Sequence, residues 1–493
     1  MAKPEYQKQR NLSARLFGLT LAAATFLPVA GARAQNSAAD YRQQLDRLRR
    51  EQLLQASPNV SAGQRAYFDY GAYLTFTYLT VDDQFHDSHA LRQTDFVAYS
   101  RLNFDNAHEV LLRVRTGYRD FNNGDSFDGR GDEPIDGDLD IGYYKFDLAR
   151  YLGAYQGKEI DGDLTVKIGR DIVYWGNGLA MAQVIDGAMV DLVKGPLQVS
   201  AIAGVTPVRT VDFDGSRPDF DFNTRRGFYG AMASTGIGEH RPFAYALLQQ
   251  DYNKDEVLSE GSVKTHFGYD SYYLGLGSTG TLGDRVIYGA EMVYEGGQGL
   301  SNSFSQSGPF ITQVPQTRDE IQAFAADLRA DYLVPDPRHT RVGGEFLLAT
   351  GDNDRLRSTS NTFAGNLPNT NDRAFNGFGL INTGQAFAPA VSNLIALRGG
   401  ISTYPFSDIR TLQRMQVGMD VFLYSKFLGD APVDEATAAG RSYLGWEPDF
   451  FVNWQVTSDI TLALRYGVFF PSSRAFEDSD PRQFFSTSVT FAF

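Results

Sequence analysis

The sequence predicts an all-β protein, a transmembrane antiparallel β-barrel of about 18 strands behind a short N-terminal periplasmic helix. Three observations carry that expectation. From Arg65 onward apolar and polar residues alternate with a period of two, the spacing that puts neighbouring side chains on opposite faces of a strand. The connections between these runs alternate between short turns and long loops, as in barrels whose short turns face the periplasm. The chain also ends in an apolar strand, with Phe485, Thr487, Val489, Phe491 and Phe493 on one face and Ser486, Ser488 and Thr490 on the other. Without a partner such a strand invites edge pairing. In a barrel it closes against the first strand, shows its aromatic face to lipid and offers the assembly machinery a terminal Phe. A buried strand of a soluble sandwich is the alternative.

At the N-terminus, Lys3, Lys8, Arg10 and Arg15 accompany an apolar stretch from Leu16 to Ala30, and Ala32-Arg33-Ala34 makes a small-x-small cleavage site. Residues 1–34 therefore read as a secretory signal peptide. Residues 35–64 follow as a periplasmic amphipathic helix and linker. Tyr41, Leu45 and Leu48 mark an apolar stripe over 37–55, which Gln52 interrupts. A trimerisation element or a pore plug are the alternatives for that helix. Residues 65–493 make up the barrel, with no linker that would divide them.

Composition narrows the classes further. The absence of cysteine excludes disulfides, a lipid-anchored N-terminus and thiolate metal sites. The net charge of −14 becomes −18 once residues 1–34, with five Lys/Arg and one Glu, are removed. That balance argues against nucleic acid as a partner. No segment of the mature chain is apolar enough for a spanning helix. The 36 Phe, 26 Tyr and 49 Gly suit aromatic girdles and closely packed strands.

Strands are expected at 66–81, 93–105, 108–119, 138–149, 162–173, 182–193, 196–206, 225–236, 241–252, 265–279, 284–296, 319–333, 340–350, 393–403, 410–425, 442–456, 460–470 and 483–493. An even count places both termini in the periplasm. The 150–161 connection is longer than the alternation wants, so a further strand is a candidate there. The longest connection, 351–392, is rich in Asn, Gly and Phe and long enough to fold into the lumen and narrow it.

The strands also assign their faces. Phe96, Ala98, Leu102 and Phe104 oppose Asp95, Tyr99, Arg101 and Asn103, and Leu112, Val114 and Tyr118 oppose Arg113, Arg115 and Arg119. An Arg or Lys at the bilayer midplane on the lipid face costs roughly 2–4 kcal/mol. These arginines are therefore expected inside, lining an aqueous pore together with Lys145, Lys167, Arg329, Arg398, Arg414 and Arg465. Asp95, Asp147, Asp327, Asp331, Glu345 and Asp420 share that face. Two readings stay open: a basic track that favours anionic solutes, or facing Arg and Asp rows that pair across the lumen.

A catalytic reading finds little support. His86, His89, His108, His240, His266 and His339 sit in loops or at strand ends without a triad-like arrangement. The acidic loop residues Asp125, Asp128, Asp132, Glu133 and Asp136 lack calcium-loop spacing. No enzyme activity, cofactor or metal is expected.

Two stretches resemble the alginate-export family of outer-membrane barrels. The first is Lys167-Ile168-Gly169-Arg170 with Tyr174, Gly176-Asn177-Gly178 and Asp186-Gly187. The second runs from Ala349-Thr350-Gly351-Asp352 through Asn361-Thr362-Phe363, Pro368 and Phe375-Asn376-Gly377 to Asn393-Leu394, Arg398-Gly399 and Pro405. The resemblance implies an eighteen-stranded monomeric barrel exporting an anionic polysaccharide through an arginine-lined constriction. Arg170, Asp186 and Arg398 fall within the matching stretches, and Arg170 thereby joins the expected pore-lining set. Asp171 departs from the pattern, where the family often has Gln. The expected function is an outer-membrane channel for passive passage of hydrophilic, anionic solutes, above all export of an acidic polysaccharide. Its expected partners are that sugar, outer-membrane lipids and lipopolysaccharide, the barrel assembly machinery and a periplasmic export partner. An uptake porin and an adhesion barrel with glycan-binding loops are the rival readings.

Overall fold

The computed structural model describes residues 66–83, 87–122, 131–307 and 310–493. The expected signal peptide and helix 37–55 lie outside the described residues, as do His86, Asp125 and Asp128.

Eighteen strands form one sheet. The wall begins with β1 (Ala66–Asp82), β2 (Ser88–Phe104), β3 (His108–Phe121) and β4 (Glu133–Asp147), and the helix α1 (Leu148–Gln156) follows. Next come β5 (Asp163–Tyr174), β6 (Ala182–Lys194), β7 (Leu197–Val205), β8 (Arg226–Thr235) and β9 (His240–Asp251). A loop hairpin, β10 (Val257–Glu260) and β11 (Val263–His266), precedes β12 (Tyr269–Leu282) and β13 (Val286–Leu300). A second loop hairpin, β14 (Phe304–Ser307) and β15 (Phe310–Gln313), precedes β16 (Arg318–Leu333) and β17 (Arg341–Ala349). The wall ends with β18 (Leu394–Thr403), β19 (Met415–Ser425), β20 (Tyr443–Gln455), β21 (Ile460–Pro471) and β22 (Arg482–Ala492).

Each wall strand pairs antiparallel with its chain neighbour. β22 closes the barrel on β1 in a register that runs from Tyr73 opposite Ala492 to Val81 opposite Phe484. Closure matters because a membrane core offers no water to unpaired backbone groups. All eighteen expected strands are present, and β4 starts earlier than expected, taking in Glu133 and Asp136.

The period-two pattern sets the two faces. Phe68, Phe76, Tyr78, Phe96, Leu112 and Val114 are exposed on the outer surface, while Thr75, Asp95, Val97 and Arg113 are buried on the inner one. On β22, Phe491 is exposed with the outer set, while the Thr490 hydroxyl meets the Thr75 hydroxyl inside at 3.0 Å. The faces expected for the last strand are those observed.

The 150–161 connection holds α1 rather than a strand, the one helix among the described residues. Asp147 caps its first turn by accepting from the Arg150 amide at 2.9 Å, and Gly157 ends it in the left-handed region at φ 63°. Asp147 thus serves the helix cap at the short-turn end of the barrel.

Candidate functional site: a stapled plug in the lumen

Two of the described connections enter the barrel. The β5–β6 connection, residues 175–181, and the long β17–β18 connection run into its interior. Leu179, Ala180 and Met181 are at most 1% exposed, as are Phe375, Ala386 and Phe387. The two segments pair with each other: the Phe378 amide donates to the Ala180 carbonyl at 3.0 Å, and the Ala182 amide donates to the Phe378 carbonyl at 2.8 Å. One continuous apolar cluster reaches from Leu79 and Val81 on β1 through Trp175 and Phe378 to Phe387 and Phe469. The loop end of the barrel is therefore largely filled.

Wall carboxylates hold this plug by its backbone. Glu447 on β20 accepts the amides of Gln385, Ala386 and Phe387 at 2.5, 2.6 and 2.9 Å. Glu291 on β13 accepts the amides of Asn177 at 2.7 Å and Leu179 at 3.3 Å, and also the Tyr245 hydroxyl at 2.5 Å. Glu295, four residues nearer the loop end, accepts the Asn376 amide at 2.8 Å. All three glutamates are fully buried. A buried carboxylate persists only with such partners. Each satisfies loop amides that no sheet ladder can reach. On the neighbouring β16, Asp327 accepts from the Asn177 side-chain amide at 2.9 Å, and Arg329 donates to the Asn177 side-chain oxygen at 3.2 Å.

The outer ends of β5 and β6 lean inward to deliver the first segment. Pairing between β4 and β5 stops at Gly142 opposite Arg170. Beyond it, Val184 and Ile172 pack behind Leu111, Ile141 and Tyr143 of β3 and β4. Gly169 makes the departure feasible: its φ is 133°, and a Cβ there would lie 2.2 Å from the Gly142 carbonyl oxygen. Arg170 ties the junction, donating to Asp186 at 2.6 and 2.8 Å, to Asp138 at 3.3 Å and to the Leu139 carbonyl at 2.6 Å.

A third loop, residues 206–225, locks the plug from above. Phe213 packs edge-on to Phe378, and Asp214 accepts the Thr362 amide at 3.0 Å. Beneath it Asp212 joins Arg217 at 3.1 Å and Arg226 at 2.9 Å, and Arg217 also reaches Glu256 at 2.7 Å. Burial pushes the Asp214 carboxyl above the usual range against the pull of hydrogen bonds from Ser216 and Thr362. Burial likewise raises Glu256, against the opposing pull of Arg217.

The cations expected in the pore fall into three groups. On β2 to β5 most are held by acids within the wall: Arg101 with Glu109 at 3.4 Å, Arg113 with Asp140 at 2.6 Å, Arg115 with Asp95 at 2.7 Å and Lys167 with Asp171 at 2.6 Å. Arg119 pairs with Glu133 at 2.5 Å. Lys145 stands opposite Glu109 and Lys167 in the ladder. Across the barrel, Arg398 pairs with Glu345 at 2.7 Å, and Arg465 lies over the Phe451 ring at 5.5 Å. Arg414 is not on a strand: β19 begins at Met415, and Arg414 is exposed in the turn before it. Opposite charges therefore pair within one strand or between neighbouring strands rather than across the lumen. The alternation of the sequence placed these groups on one face, but it gave no sign of Glu291, Glu295 and Glu447 as anchors.

A family model described as alginate export matches residues 183–483. Among solved structures the chain is similar to Pseudomonas aeruginosa OccK5 (OpdH), at 11% identity over 86% of this chain and 98% of that one, with a TM-score of 0.50. It is also similar to Pseudomonas aeruginosa OpdO, at 10% identity over 86% and 97% with a TM-score of 0.50. Acinetobacter baumannii OccAB1 gives 13% identity over 86% and 96%, again with a TM-score of 0.50. At these identities the likeness concerns the fold, an outer-membrane barrel. No curated protein matches the chain. The family match takes in more than half of the sequence, including the plug segment of the β17–β18 connection and the wall glutamates that hold it, and the chain belongs to the alginate export family.

Proposed function

We propose that this outer-membrane channel passes an acidic polysaccharide such as alginate, or a related anionic sugar, outward and without an energy source of its own. The observation that carries the reading is the inner wall below the plug. There charged and hydroxyl side chains line a closed barrel whose family is an export family. The short-turn end, with the last strand closing on the first, then faces the periplasm and receives the chain from an export partner. The plug sets the narrowest passage.

Planar-bilayer recording tests this. An anion preference with block by oligouronates is the expected result. Cation selectivity would refute the anionic cargo, and absence of conductance would favour the adhesion barrel. One observation favours a second reading, an uptake porin for small anionic solutes: the buried cluster spans the lumen and is stapled to the wall, a geometry suited to small solutes. Passage of short oligouronates with exclusion of long ones would select it.

A further inference from the structure

We propose that the turn-end half of the lumen carries two saccharide-stacking steps, Tyr99 laid on Gly71 and Phe451 laid on Gly418, the second completed by Arg465 to hold a uronate unit. This rests on the channel reading and names where the sugar binds.

The glycines reveal the ring poses. A Cβ at Gly71 would lie 2.9–3.0 Å from the Tyr99 Oη, Cε1 and Cζ atoms, and one at Gly418 would lie 2.1–2.8 Å from Phe451 Cζ, Cε1 and Cε2. Each ring is therefore folded down across the neighbouring strand, one face on the backbone and the other turned to the lumen. The ladder pairs Tyr99 with Gly71 and Phe451 with Gly418, on the same face as buried Val97 and Asp449. Both rings are half-buried and stand outside the apolar cluster of the plug. The Arg465 Nη1 donates to the Leu464 carbonyl at 3.0 Å, and the guanidinium carbon lies 5.5 Å from the Phe451 ring centroid.

A pyranose presents an apolar C–H face and a rim of hydroxyls, so a flat ring on a wet wall offers it a stacking platform. A uronate adds a carboxylate, which matches a guanidinium geometrically and in charge. The Phe451–Arg465 pair offers both contacts, and Tyr99 offers stacking alone. The two platforms lie on strands four places apart in the closed sheet, so the ligand is an oligomer rather than a single sugar.

The test is single-channel block of the full-length protein by a hexameric oligouronate and by a neutral hexasaccharide. F451L and Y99L should each weaken block by both sugars roughly tenfold, which corresponds to ~1.4 kcal/mol. R465Q should weaken block by the oligouronate alone, and F451Y, which keeps the ring, should block like the parent. Block constants unchanged within about twofold in F451L and Y99L would overturn the proposal. So would a parent channel that conducts but is blocked by neither sugar, an outcome that leaves the channel reading intact. A folded barrel without conductance would overturn the channel reading and this proposal with it.

Discussion

Replacing Glu447 by alanine should release the plug without unfolding the barrel. The glutamate accepts three backbone amides, from Gln385, Ala386 and Phe387, and the Tyr424 hydroxyl at 3.3 Å. A buried donor left without a partner costs about 1–3 kcal/mol, so three of them cost about 3–9 kcal/mol while the segment stays in place. What holds the segment otherwise is Phe387, stacked on Phe469 at 4.2 Å, and the Thr383 carbonyl, which accepts the Tyr424 hydroxyl at 2.9 Å; burying one such ring is worth about 1.5–3 kcal/mol and one such hydrogen bond about 0.5–1.5 kcal/mol. The loss exceeds the gain over most of this range, so the segment detaches and its amides turn to water. The wall is unaffected, because β20 keeps its ladder to β19 and β21. The assay pairs single-channel conductance with proteolysis of the protein in liposomes. E447A should conduct several-fold more and become cleavable near residues 383–388. E447Q, with one acceptor oxygen left, should fall between. An E447A channel with parental conductance and parental protease resistance would refute the idea that this carboxylate anchors the plug.

Changing Arg113 and Arg115 together to Ala should shift the reversal potential toward cations, because it strips Asp140 and Asp95 of their partners, whereas D95N with D140N should shift it the other way; equal potentials in all three would show that this wall does not set the field. Val114 is exposed on the outer face at mid-strand, so V114R should cost roughly 2–4 kcal/mol of barrel stability, read from urea unfolding in bilayers. A V114R barrel as stable as the parent would place that face out of lipid. In the locking loop, the carboxyl of Asp214 is raised by burial, so its proton is released more readily when the loop is undocked. Docking should therefore weaken as pH rises from the usual carboxylate range through the raised value, seen as faster cleavage of residues 207–224. D214N should flatten that dependence. Finally, D212A removes the acid that Arg217 and Arg226 share, leaving Arg217 to Glu256 and Arg226 to Asp251, and should cost about 1–3 kcal/mol of loop stability.

How much of this was legible in the sequence depends on the range of the interactions involved. The eighteen strands were readable because the forces that set them are local: lipid outside and water inside impose a two-residue period, and turn lengths report the side of the membrane. The faces of β22 follow from the same rule. Helix α1 was missed although its signals were present, with Asp147 at the cap and Gly157 past the end. The alternating pattern of β4 ran into the cap residue and masked it. Pairing across the lumen was one of the open readings, whereas the β2 and β3 arginines pair with acids on adjacent strands, since a period-two pattern fixes a side chain's face but not its neighbour.

The plug anchors were illegible for a stronger reason. Glu291, Glu295 and Glu447 look like any other acid on an inner face, and their partners are amides, which every residue possesses. A backbone donor leaves no trace in side-chain identity, and Glu447 meets amides 60 to 62 positions away. What the sequence did carry was the excess of acids over bases on the inner face of β13 to β20. Net negative charge facing the lumen of a channel expected to favour anions reads as a contradiction. Part of that charge, on Glu291, Glu295 and Glu447, accepts plug amides instead of facing open lumen. A wall can thus be acidic in composition while several of its carboxylates face loop amides or neighbouring arginines. Charge counted along a strand is therefore a poor guide to the field in a pore until the loops that fill it are placed.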